Sequence, residues 1–244
     1  MLATSGILRL FCRLSRAFAL SGCAGPIVYS DDSPVKIGET LYADPAIVRF
    51  EHSGLVAMMA NAKRRIVGFY GEQRSSDPDV IFCRTSDCSV YFSGTEKRSR
   101  AISPGRTGPG GSYRARRPTV VIVSSGNNAE NVLTHELSHI EHRARFGTGR
   151  APSWFHEGVA VYVSGEPDCN GVFAKGIDDL SKLSYGNSWD VYTNDRSRIR
   201  QTYCQAAHEI RSWVLKSGKP ALLNLMDDVK AGKPFDSAFG PLIK

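Results

Sequence analysis

The residues best suited to chemistry in this chain lie together at positions 135–139, which read His-Glu-Leu-Ser-His. Imidazole nitrogens are ligands that Zn²⁺ accepts readily. If the segment is helical, His135 and His139 lie one turn apart on the same face and can hold a single ion. The carboxylate of Glu136 can then reach a water on that ion. This pentapeptide therefore predicts a metal-dependent hydrolase.

A hydrolytic zinc site needs a third protein ligand and one open position for water. Glu157 is the strongest candidate, since it lies eighteen positions after His139 in an apolar segment that begins at Pro152. A charged carboxylate buried in a helix is costly unless it is paired or binds a metal. We therefore predict one Zn²⁺ per chain, bound by His135, His139 and Glu157.

Two motifs together resemble the gluzincin metallopeptidases of the peptidase MA clan. They are H-E-L-S-H at 135–139 and W-F-H-E-G-V-A at 154–160, and the match is closest to small bacterial domains with P-x-W-x-x-E-G-x-A. The spacing between them is about one residue shorter than in the aminopeptidase-type relatives. The resemblance covers residues 118–216. It implies that Glu157 is the third zinc ligand and that Glu136 is the general base and later the general acid.

The same resemblance implies a fold and a further catalytic residue. The expected fold is α+β and zincin-like, a small β-sheet and an active-site helix packed on a helical C-terminal lobe. Tyr203 begins the stretch Y-C-Q-A-A, which resembles Y-x-[QK]-[GA]-[AS] of the aminopeptidase branch. In that family the tyrosine donates a hydrogen bond to the tetrahedral intermediate. The alternative is that Tyr203 is a core aromatic residue on an amphipathic helix.

Other features narrow the type of peptidase. A ligand set with a third histidine is disfavoured, because position 142 holds His where that motif has Gly, and position 145 holds Arg where it has His. An aminopeptidase would need an acidic group for the free amine, and no stretch like G-x-M-E-N precedes the motif, so endopeptidase action is favoured. His142 is expected to be a polar helix residue, and His156 is expected to point away from the ligand face. His52 and His208 are expected to have structural roles.

The helices and strands that position these residues can be predicted from the spacing of apolar residues and from helix-capping residues. The pattern predicts strands at 79–83, 89–92 and 119–123. It predicts helices from about 54 to 69, 129 to 146, 154 to 163, 199 to 216 and 219 to 230. The arginine-rich stretch 93–118 is interpreted as a surface loop or as an element that meets an anionic partner. The motif pentapeptide therefore lies in the middle of a helix that follows a buried strand.

Composition is that of a soluble globular protein, with 244 residues, 41 % apolar and 23 % charged residues and a net charge of +7. The sequence contains no uninterrupted apolar run of the length that a membrane span needs. The positive net charge would favour binding to an anionic surface. No nucleic-acid-binding motif accompanies it, so a nucleic-acid partner is not expected.

Residues 1–33 are interpreted as a targeting segment and linker, and residues 34–244 as one metallopeptidase domain. Arginines at 9, 13 and 16 precede an apolar stretch that ends in Leu-Ser-Gly-Cys, which resembles a lipobox with Cys23 as the lipidated residue. Arg13 and Arg16 interrupt the expected apolar core of a signal peptide. Export to the periplasm or envelope is the expectation, and a cytoplasmic protein with a disordered N-terminal tail is the alternative.

Cysteine usage favours export. Four cysteines lie after the targeting segment: Cys83, Cys88, Cys169 and Cys204. Four cysteines allow three disulfide pairings, among which the sequence does not choose. Four buried thiols in a reducing compartment are the alternative.

The function expected from all of these features is zinc-dependent hydrolysis of peptide bonds. Two alternatives stay open: a zinc-stabilised envelope protein that binds a partner without turnover, and a zinc hydrolase that cleaves a different kind of bond. The presence of Glu136 favours an enzyme, since a site without turnover has no need of that carboxylate.

Overall fold

A mixed sheet and a set of helices make up the described part of the chain, which in this computed structural model is residues 29–30, 33–94, 100–102, 117–123, 128–147, 150–165, 169 and 196–240. The α+β class is therefore confirmed. The predicted targeting segment up to residue 28, including Cys23, lies outside the described residues, as does most of the arginine-rich stretch 93–118.

The sheet has five strands in the order β1-β2-β3-β5-β4. They are β1 (Val35–Lys36), β2 (Leu41–Ala43), β3 (Asp79–Cys83), β4 (Arg100–Ile102) and β5 (Thr119–Val123). The three central strands, β2, β3 and β5, are parallel, and the two outer strands pair antiparallel with their neighbours. β3 and β5 are continuous apolar runs because both of their faces are covered.

The helices are α1 (His52–Tyr70), α2 (Ser86–Ser93), α3 (Ala129–Phe146), α4 (Ser153–Ser164), α5 (Arg196–Ser217), α6 (Lys219–Lys230) and α7 (Phe235–Phe239). A 3-10 turn, Arg49–Glu51, leads into α1. None of the helices in the described ranges is both long and apolar enough to cross a membrane.

Alternate residues of the central strands face two different cores, as the period of two in a strand requires. Val80 and Phe82 belong to the larger core, which also contains apolar residues of α1, α3, α4, α5, α6 and α7. Ile81 and Cys83 face the other way and pack with Cys88 and other residues of a smaller core under α2. Helix α3 therefore packs directly on β5 and β4, and α1 packs beside α3.

Two sequence-based predictions of local structure are wrong. Residues 89–92 were expected to form a strand but belong to α2. The hydroxyl of Thr85 accepts a hydrogen bond from the backbone N–H of Cys88 and caps this helix, and Gly94 ends it with φ +74°. A short apolar run does not by itself distinguish a helix from a strand. In residues 89–92 the cap at Thr85 favours the helix. The stretch 93–118, expected to be a loop, contains strand β4.

The other predicted elements agree with the structure within a few residues, and α3, α6, β3 and β5 agree at both ends, whereas the short strands β1 and β2 were not predicted. The helix expected at 154–163 begins one residue earlier, because Pro152 occupies the cap position and Ser153 is already helical. Helix α7 lies beyond the last helix that the pattern predicts, which ends at Lys230.

Each disulfide joins two cysteines that follow one another in the sequence, Cys83 with Cys88 and Cys169 with Cys204. The first closes a loop between β3 and α2, and the second joins residue 169 to α5. Disulfides persist in oxidising compartments, so their presence indicates an oxidising, exported location.

Candidate metal centre

The structure brings the three predicted ligands together. The Nε2 atoms of His135 and His139, one turn apart on α3, are 3.0 Å from each other. Glu157 faces them from α4, and its Oε2 lies 3.1 Å from His135 Nε2 and 3.2 Å from His139 Nε2. These three side chains form a group that could hold a metal ion.

The group is largely buried but not sealed. The side chains of His135, His139 and Glu157 keep 11 %, 16 % and 20 % of their exposure. The group has three described residues, one fewer than the four protein ligands that usually close a structural zinc site.

The electrostatics favour an ionised Glu157. Burial alone would raise the pKa of its carboxyl group, but the charge of His139 and hydrogen bonds from both imidazoles outweigh burial and hold the pKa well below its usual range. A carboxylate must be deprotonated to bind a metal. Glu157 is therefore in the correct state for ligation at neutral pH.

Local signals at both ends of α3 set the limits of the helix that carries the two histidines. Glu130 in the first turn and arginines in the last turn complement the helix dipole. Gly147 ends the helix with φ +76°, and its N–H donates to the carbonyl of Arg143. Asn128 occupies the cap position, and its side chain accepts a hydrogen bond from Asn131 rather than from the backbone.

Helix α4 lies between α3 and α5, and Gly158 allows the close approach to α5. A Cβ atom at this position would lie 2.6 Å from the carbonyl oxygen of Ala206, on α5. The glycine next to Glu157 therefore packs backbone against backbone. This packing brings α5, and with it Tyr203, to the metal-binding group.

Glu136 and Tyr203 both lie beside the ligands. Glu136 directly follows His135, is partly exposed, and makes no hydrogen bond or ion pair with the described residues. The ring of Tyr203 lies 6.1 Å from the ring of His135, centroid to centroid, and the planes are tilted by 34°. The structure therefore places the ring of Tyr203 near that of His135, while Glu136 is the next residue after His135 on α3.

Two further histidines, His142 and His156, lie behind the ligands. Their rings are 5.5 Å apart, and the His142 ring is 6.3 Å from that of His139. His142 was interpreted as a polar helix residue but is buried, with its Nε2 2.8 Å from the hydroxyl of Tyr70. Burial lowers the pKa of His142 well below its ordinary value and that of His156 to about 4. Both are therefore neutral near pH 7.

The far side of α3 is held by a buried ion pair that the sequence analysis missed. Glu141 and Arg145 are fully buried, with Arg145 Nε 2.6 Å from Glu141 Oε1. Glu141 also accepts hydrogen bonds from the backbone N–H groups of Arg74 and Ser75. The guanidinium group donates to the carbonyl of Glu72. These contacts fix α3 to the segment that follows α1.

A signal for this pair was present in the sequence, since Glu141 and Arg145 have the i, i+4 spacing of helical ion pairs. That spacing is common on exposed helix faces, so it does not by itself indicate burial. Tyr70 was missed for a similar reason, because its hydroxyl group bonds Ser138 on another helix, 68 positions away.

Comparisons of the chain with protein-family models, with curated proteins and with solved structures each give no match.

Proposed function

We propose that this protein is an exported zinc metallopeptidase in which His135, His139 and Glu157 bind one Zn²⁺ per chain. The observation that carries the proposal is the convergence of two imidazole nitrogens and one carboxylate oxygen within 3.0–3.2 Å of one another, from two helices. The two disulfides support export. The short motifs alone would not suffice, because five-residue patterns also occur by chance.

The geometry of the group fits zinc. With Zn–N and Zn–O bonds of about 2.0–2.1 Å, ligand atoms at the corners of a tetrahedron are about 3.4 Å apart. The three atoms need to separate by only about 0.3 Å to reach that geometry. Two histidines and one glutamate, with an open fourth position, form a known ligand set of catalytic zinc. When bound, zinc would polarise a scissile carbonyl and lower the pKa of a bound water.

Glu136 is the general base in this proposal. Its carboxylate is partly exposed beside the first ligand and is not engaged by another described residue. It takes a proton from the attacking water and passes that proton to the nitrogen of the departing amine. Tyr203, beside His135, donates a hydrogen bond to the oxygen that becomes negative when water attacks the carbonyl carbon.

The position of β4 supports a peptide as the substrate. Among the described strands β4 lies at one edge of the sheet, paired antiparallel with β5, and it also packs against α3. An extended peptide can add to such an edge through backbone hydrogen bonds. A chain bound along β4 would pass over the helix that carries His135 and Glu136. A zincin-like arrangement and endopeptidase action are parts of the same proposal.

The test compares hydrolysis of an unstructured protein, such as unfolded casein, by wild-type protein and by Glu136→Gln. The variant keeps the shape and hydrogen-bonding capacity of the side chain but removes the base, so we expect cleavage to fall at least about a hundredfold. Zinc content should remain one per chain, because Glu136 is not a ligand. Cleavage that survives in the zinc-loaded variant would overturn the mechanism, and a wild type that binds zinc but cleaves no peptide would favour the binding protein without turnover.

A further inference from the structure

Arg65, on α1, links the two helices that carry the proposed metal ligands. Its Nη1 group donates a hydrogen bond to the side-chain oxygen of Asn131, in the first turn of α3, at 2.7 Å. Its Nη2 group donates to the backbone carbonyl of Ser164, the last residue of α4, and lies 3.5 Å from the carbonyl oxygen of Val163. We call these contacts the Arg65 bridge. One side chain thus joins the start of α3 to the end of α4.

The end of α4 has the features that a guanidinium group needs. The last carbonyls of a helix have no partner within the helix, and a cation there also complements the helix dipole. The cap residue Gly165 has φ +59°, and a Cβ atom there would lie 2.8 Å from Nη2 of Arg65. Glycine therefore leaves the space that the guanidinium group occupies. Glu130 lies 4.0 Å from Arg65, but the two side chains are 37 % and 32 % exposed, so this ion pair contributes little.

The two attachment points of the bridge lie within one or two helical turns of the ligands. Asn131 precedes His135 by four residues, which is one turn of α3, or about 6 Å along its axis. Ser164 follows Glu157 by seven residues, which is two turns of α4, or about 10 Å. The bridge therefore fixes the same stretches of α3 and α4 that hold the histidines and the carboxylate.

Chain connectivity holds only one end of α4 close to α3. Six residues lie between Phe146, the end of α3, and Ser153, the start of α4. At the other end of α4, the Arg65 bridge makes the connection. Because Glu157 lies between these two points, a shift of the Ser164 end would move its carboxylate relative to the imidazoles. A functional site tolerates about 0.5 Å of such movement.

We propose that Arg65 is a positioning residue of the metal centre. Its bridge between Asn131 and Ser164 sets the placement of α4 against α3, and thereby the distances from Glu157 to the two imidazoles. The inference rests on the proposed function, because it concerns the same three ligands. Arg65 acts through the two helices and not by binding the metal.

The test measures the zinc affinity of the full chain by competition with a chromophoric chelator. Arg65→Met keeps much of the apolar stem but has no donors, and we expect it to weaken zinc binding about tenfold, the lower end of the range for groups that orient metal ligands. Arg65→Lys has one donor nitrogen in place of a planar fork, so its affinity should fall between the other two. The visible absorption of bound Co²⁺, which depends on coordination geometry, should differ between wild type and Arg65→Met.

A purely structural role of Arg65 gives a different result. Arg65→Met would then lower the urea midpoint of the metal-free protein but keep the zinc affinity and the Co²⁺ spectrum of wild type, and this outcome would overturn the proposal. Affinities are compared where urea titration shows every metal-free protein to be folded. Asn131→Ala removes only the α3 end of the bridge and serves if Arg65→Met does not fold. It should also weaken zinc binding, and wild-type affinity in Asn131→Ala would then count against the proposal.

Arg64→Met is the matched control. Arg64 is the neighbouring arginine on α1, is exposed, and donates to Asn61 on the same helix. It should keep the zinc affinity of wild type, and equal weakening by Arg64→Met and Arg65→Met would overturn the proposal. Wild-type protein that binds no zinc would overturn the proposed metal centre and this inference with it. Zinc bound equally well by wild type and Arg65→Met would overturn this inference alone.

Discussion

Replacing Gly158 by alanine should destabilise the protein, although alanine is normally the better helix residue. The added Cβ atom would lie 2.6 Å from the carbonyl oxygen and 2.7 Å from the carbonyl carbon of Ala206, and 3.0 Å from a side-chain carbon of Ile210. Carbon atoms in contact are about 3.5–4.0 Å apart, so the backbone of α5 would have to move away from α4 by roughly 0.8 Å.

The magnitude follows from two opposing effects. Forcing an extra carbon into a close-packed core costs about 1–3 kcal/mol. Replacing a helical glycine by alanine gains about 0.5–1 kcal/mol from the entropy of the unfolded chain. The free energy of unfolding of Gly158→Ala should therefore fall by about 1 kcal/mol relative to wild type at the middle of both ranges, and by up to about 2.5 kcal/mol.

Gly68→Ala is the control, because Gly68 is also inside a helix but a Cβ atom there would meet nothing within 4 Å. This variant should gain about 0.5–1 kcal/mol. Urea unfolding of the metal-free proteins gives both values from the midpoint and slope. If Gly158→Ala were as stable as Gly68→Ala, the close contact between α4 and α5 would be wrong, and with it the placement of Tyr203.

Two further predictions concern stability. Burial holds the pKa of His156 at about 4 in the folded state, against 6.5 for an exposed histidine. Between about pH 4 and pH 6.5 the unfolded state therefore binds a proton that the folded state does not. Burial lowers the pKa of His142 in the same direction. Unfolding of the metal-free protein should therefore cost about 2 kcal/mol less at pH 5 than at pH 7 for His156 alone, and a pH-independent urea midpoint over this range would contradict the assignment. Glu141→Ala should lower the free energy of unfolding by about 3–5 kcal/mol, because it leaves the buried guanidinium of Arg145 unpaired. Glu72→Ala, which removes an exposed partner of Arg74, should change stability little in the same urea titration, and similar losses in both variants would refute this reasoning.

The local patterns of this sequence were sufficient to predict α3 and the two strands below it. Helix α3 has a polar cap residue, an acidic first turn and a glycine stop, and all of these signals lie within twenty residues. The same is true of α6, which begins with Lys219-Pro220. The sequence also indicated that Glu157 would lie opposite the histidines, because an isolated acidic residue in an apolar helix needs a partner.

The features that were missed depend on contacts between distant residues. The burial of His142 depends on Tyr70, and that of Arg145 depends on the backbone of residues 70–75, which no local pattern connects to α3. Strand β4 has three residues and is defined by its pairing with β5. The helical form of residues 89–92 depends on the capping hydroxyl of Thr85. In each case tertiary or capping contacts outweigh the apolar pattern.

Native mass spectrometry of wild-type protein and of Glu157→Ala, each loaded with zinc and then dialysed, tests the central claim most directly. Three ligands converge in the wild type, so it should retain one zinc ion per chain. Glu157→Ala keeps the two histidines but loses the carboxylate from α4, so it should lose the ion under the same conditions. Glu136→Gln changes a residue next to a ligand but no ligand, so this variant should retain the zinc ion. Equal zinc in wild type and Glu157→Ala, or no zinc in either, would contradict the proposed metal centre.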